Sequence, residues 1–82
     1  MPKLPQDITG LQLVKAFSSY GYRVVRQTGS HIRLIRDSEK GSHHITIPAH
    51  SPLKIGTLNS IIDDVATALH MEKAELVNIL FD

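Results

Sequence analysis

The chain of 82 residues contains no cysteine, no apolar run near the length of a membrane span, and little net charge. Without cysteine there can be no disulfide framework, no thiolate metal site and no cysteine nucleophile, a composition that fits a reducing compartment. A spanning helix needs roughly 20 apolar residues, and the opening Met-Pro-Lys-Leu-Pro lacks the apolar core of a signal peptide, so a soluble, cytoplasmic protein is expected. Also missing are the nucleophile elbow of serine hydrolases and the phosphate loop of nucleotide-binding proteins. There is no His-x-x-x-His helix and no carboxylate cluster, and the adjacent His43 and His44 point to opposite faces of a strand. No metal or other cofactor is therefore expected.

What remains is one small domain, residues 1–82 with a core at about 8–81, free of repeats and linkers. A chain this short buries only about 60% of its unfolded surface, so its core must be modest and well patterned. The net charge of +1 hides an asymmetry. Residues 1–56 carry eight Lys or Arg against three acids, and residues 57–82 carry one Lys against five acids. A basic first segment suits a polyanion such as nucleic acid, and equally an ordinary solvated surface.

Thr9-Gly10-Leu11-Gln12 has the form of a capping box opening a helix over 10–20, with Leu13, Ala16, Phe17 and Tyr20 on its apolar face and Gly21 at its end. Alternating β-branched patterns predict strands over 22–27, 31–37 and 43–48, joined by turns at Thr28-Gly29-Ser30 and at 38–42. Ile32 and Leu34 then share one face, and His31, Arg33 and Ile35 the other. Pro48 to Gly56 reads as a loop. Leu58, Ile61, Ile62, Val65 and Leu69 form the core stripe of a second helix, and a short third helix over 71–80 turns Ala74, Val77 and Leu80 inward. The predicted fold is α+β, α-β-β-β-α in two layers with a short extra C-terminal helix.

Four of the five histidines fall between residues 31 and 50, two of them in Gly-Ser-His triplets at 29–31 and 41–43. His43 shares strand parity with Ile45 and Ile47 and reads as a half-buried strand residue. His31 opens a strand beside a turn and shares its face with Arg33, so it reads either as a proton-transfer group or as a surface or RNA-contacting histidine. RNA supplies its own nucleophile, the 2′-hydroxyl, and a histidine with a nearby cation could cleave it without a metal, leaving a cyclic phosphate.

Taken together and in order, Gly21-Tyr22, Gly29-Ser30-His31, Ile45-Thr46-Ile47-Pro48, His50 and Gly56-Thr57-Leu58 resemble the HicA, or YcfA-like, family of mRNA interferase toxins over about Ile8 to Phe81. The resemblance implies a fold like the double-stranded RNA-binding domain, endoribonuclease activity on mRNA, and neutralisation by a HicB-like antitoxin. Its essential histidine matches His31. On this reading Arg33, Arg36 and Lys54 contact RNA, alternation placing Arg33 rather than Arg36 beside the scissile phosphate. His50 is either an accessory proton-transfer group or a loop histidine capping the next helix. Gly29, Ser30 and Gly56 shape turns. The chain departs from the family in having Ile32 after the motif and an acidic second helix with Asp63 and Asp64. A non-catalytic RNA-binding module, or a decayed toxin kept for binding its antitoxin, are the alternatives.

Overall fold

A computed structural model describes Leu4, residues 7–50 and residues 52–81. The opening residues read above for a leader lie outside it apart from Leu4. Three helices and three strands follow in the order α1 (Gly10–Ser18), β1 (Arg23–Thr28), β2 (His31–Ser38), β3 (Gly41–Pro48), α2 (Ile55–Leu69) and α3 (Lys73–Phe81). The strands form one antiparallel meander, β1-β2-β3. This is the α+β arrangement that the pattern predicts. Among the described residues no helix is long and apolar enough to cross a membrane.

Thr9 and Gln12 close the capping box reciprocally, with bonds of 2.8 and 3.1 Å. The helix ends before Tyr20 because the Ser18 and Ser19 hydroxyls take the carbonyls of Lys15 and Ala16, competing with the backbone ladder. Gly21, at φ +91°, turns the chain, and the Tyr22 amide reaches back to the Phe17 carbonyl.

Burial decides what alternation left open. Ile32, Leu34, Ile45 and Ile47 face the helices and are buried with Leu13 and Phe17 of α1 and Leu58, Ile62 and Val65 of α2. The face bearing His31 and Arg33 meets solvent. β1 differs from its neighbours, since all six of its residues are exposed.

The third helix is present as expected, with Val77 buried and Leu80 packed at the margin of the core, and differs in detail. It begins at Lys73 and buries Leu76 and Val77, whereas Ala74 and Leu80 are only half-buried. It packs against α2, so a short strip suffices, and Lys73 Nζ bonds both Asp63, at 3.0 Å, and Asn59. The second helix begins at Ile55, and Gly56 sits in its first turn with open space where a Cβ would go. The turn-shaping role expected for Gly56 is therefore not what its backbone requires.

The N-terminal segment is sewn to the loop after β3. The Gly10 amide donates to the His50 carbonyl at 3.0 Å, and the Leu53 amide to the Ile8 carbonyl at 2.8 Å. A methyl group on Gly10 would run into the Pro48 carbonyl.

Candidate functional site

The two Gly-Ser-His triplets have opposite fates. In the first, Gly29 adopts φ +58° at the leading position of a two-residue hairpin turn, which glycine accepts at no steric cost, and His31 is the first residue of β2. It pairs with Thr28 on one side and Pro48 on the other, and its side chain lies on the exposed face. In the second, Gly41 already pairs with Ser38, so His43 stands two residues into β3 and points to the helix layer. There its Nδ1 lies 2.7 Å from the Tyr22 hydroxyl and its Nε2 3.3 Å from Asp64 Oδ1. A neutral imidazole carrying its proton on Nε2 satisfies both partners. Burial pushes the Tyr22 phenol above its usual range, with Arg36 pulling the other way. This histidine is a strut.

On the exposed face a hollow of about 340 Å³ is lined by Arg26, Thr28, His31, Arg33 and Thr46. It is made from two rows across the sheet. Arg26, Arg33 and Thr46 form one, Thr28 and His31 the other, and residues two apart along a strand lie roughly 7 Å apart. Hydroxyls, an imidazole and two guanidinium groups converge, and no carboxylate is among the lining residues.

The other end of the same face is neutralised. Arg23 bonds Asp37 at 2.8 Å, and Ser42 donates to the same carboxylate at 2.6 Å. The Ser42 hydroxyl and the Arg23 guanidinium hold the Asp37 carboxyl below its ordinary range. Arg26 and Arg33 have no acidic partner of this kind among the described residues.

The remaining expected site residues are dispersed. Arg36 faces the helix layer, where its Nε donates to the Tyr20 carbonyl at 2.8 Å and holds the end of α1 against the sheet. Lys54 stands at the N-terminus of α2 without a capping side-chain bond. It lines a second hollow of about 550 Å³ with Thr57, Ser60 and Pro48, and Thr46 belongs to both hollows. His50 is exposed on the loop, which the Ala49 amide ties to the Ser30 carbonyl at 2.6 Å beside the His31 turn. The acids of α2 each meet a side chain of another element, Asp63 that of Lys73 and Asp64 that of His43, while staying more than half exposed.

Arg26 escaped the sequence reading for a physical reason. Strict alternation from Val24, which faces the helix side opposite Leu34, would send Arg26 to that side as well. A β-bulge between Val24 and Arg26 adds one residue, Val25, and turns Arg26 to the exposed face opposite Arg33. The segment Arg-Val-Val-Arg carries no glycine or other mark of a bulge.

Against known proteins, the model of one family, described as HicA toxin of bacterial toxin-antitoxin, matches residues 10–66, from the start of α1 into α2. No curated protein and no solved structure matches.

Proposed function

The chain belongs to the HicA toxin family, and from that premise we propose that it is a toxin acting as a metal-independent endoribonuclease on cytoplasmic mRNA. The observation that carries this reading is His31 and Arg33 lining one hollow on the exposed sheet face, with two hydroxyls and no acid between them. His31 takes the proton of a ribose 2′-hydroxyl, the freed oxygen attacks phosphorus, and the bond to the 5′-oxygen breaks. Arg33 neutralises the charge that gathers on the phosphorane oxygens. The leaving 5′-oxygen takes a proton from water or from His50, whose loop is bonded to the His31 turn. The products are a 2′,3′-cyclic phosphate and a 5′-hydroxyl.

Lys54, across Thr46 in the second hollow, extends the cationic surface along the RNA. A HicB-like antitoxin is the proposed partner, and covering the exposed sheet face would silence the toxin. Arg36, which is engaged with Tyr20, has a structural role in this scheme.

The test incubates the purified protein with end-labelled single-stranded RNA in EDTA and identifies the new 3′ ends. Cyclic phosphate supports the reading, whereas RNA bound but uncut in EDTA would favour a binding module. Replacing Arg33 with alanine is expected to weaken binding and to flatten the plot of log affinity against log salt by about 0.7, the value for one phosphate contact on a single strand. An unchanged slope would remove Arg33 from the site.

A further inference from the structure

Two like charges set directly opposite each other on neighbouring strands destabilise a sheet, and Arg26 and Arg33 are such a pair. Their Cβ atoms at that register lie roughly 5 Å apart. The bulge at Val25 is what creates the pairing, since regular alternation would have sent Arg26 to the other face. Bulges next to functional sites commonly re-aim a side chain in this way. The hollow thus holds two guanidinium groups, each without an acidic partner among the described residues, beside the hydroxyls of Thr28 and Thr46.

We infer that Arg26 and Arg33 form a two-armed clamp for one RNA phosphodiester, assembled by the β1 bulge, with Arg26 as a substrate-binding residue. The inference rests on the reading of this hollow as the RNA site. A phosphodiester presents two non-bridging oxygens, and each guanidinium can donate to one of them, so a bound phosphate relieves the repulsion between the arginines. The hydroxyls of Thr28 and Thr46 add neutral donors around the same anion, and a phosphodiester, with more oxygens to receive them than the carboxylate of an acidic peptide, uses them more fully. Arg33 alone would hold the phosphate by one side and leave it free to rotate. With Arg26 on the other side, the phosphorus is fixed relative to His31.

The test measures binding apart from cleavage. A short 2′-O-methyl oligoribonucleotide, which has no 2′-hydroxyl to attack, is titrated into the intact protein, into Arg26→Ala and into the swap V25R/R26V, with backbone amide spectra confirming each fold. The swap keeps composition and net charge while moving the cation onto the bulge residue, which is exposed. Arg26→Ala and the swap are both expected to lose about tenfold in affinity, the size of one charge-assisted hydrogen bond, and about 0.7 in salt slope. Wild-type binding by the swap would show that net charge suffices, and would overturn the clamp. So would unchanged RNA binding by Arg26→Ala with weakened binding to the antitoxin, which would make Arg26 a protein contact. Arg26-dependent binding by a protein that cuts no RNA would keep the clamp and reject the nuclease. His31-dependent cutting with binding indifferent to Arg26 would do the reverse.

Discussion

Replacing His31 with alanine is expected to reduce RNA cleavage in EDTA by roughly two to four orders of magnitude, the usual contribution of a positioned acid or base. The fold should be unaffected. His31 is exposed at the first position of β2, and no side-chain hydrogen bond to it is present among the described residues, so its removal opens no cavity and orphans no partner. Binding of the uncleavable oligonucleotide should change little, which separates lost chemistry from lost affinity. The measurement is the single-turnover rate of the variant beside the wild type, prepared identically, with thermal melts of both. Equal rates would assign the cleavage to another group or to a contaminant. A large drop in melting temperature would instead give the histidine a structural task.

Gly10→Ala should be the most damaging of the small substitutions to stability, by roughly 2 kcal/mol or more. Overpacking of this kind costs about 1–3 kcal/mol, and moving α1 away would also forfeit the Gly10 amide bond to His50. For a domain of this size that loss corresponds to a melting temperature lower by roughly 10 °C. Gly56→Ala is the control, because a methyl there meets open space in a helical turn and should change stability by only a few tenths of a kcal/mol, upward. Melts of the two variants decide the matter. A Gly10→Ala protein as stable as the wild type would show that α1 is not seated against the Pro48 carbonyl. The damage should also reach catalysis, since the same loop is bonded through Ala49 to the turn that carries His31.

Much of this architecture is legible in the sequence because apolar burial, the strongest force favouring a folded chain, leaves a periodic trace. Leu13 with Phe17 and Leu58 through Val65 mark their buried faces by spacing, while alternation puts Ile32 with Leu34 on one face and leaves its burial to the packing of the helices. His31 and Arg33 are legible for the same reason, two residues apart on one strand. Where burial is slight the trace fades. In α3 the spacing of Ala74, Val77 and Leu80 fits a stripe as well as Leu76 with Val77 does, and only packing against α2 separates them. The bulge that delivers Arg26 is invisible because it shifts register without needing a special residue. The acids of α2 suit a basic partner or a solvated helix face equally well by sequence, and their contacts with Lys73 and His43, on other elements, leave no trace in local spacing.

The exposure of β1 has a consequence for how the molecule opens. An edge strand joined to the sheet on one side, with Val24 and Val25 at 51% and 47% exposure, contributes little to the core, so it can detach at a fraction of the global unfolding free energy. Its amide protons should exchange with solvent sooner than those of β2, and protection of β1 equal to that of β2 would contradict this. Because Arg26 rides on that strand, the cationic hollow is complete only while β1 is docked. Detachment would leave a folded protein that still carries His31 and Arg33 but grips its substrate on one side.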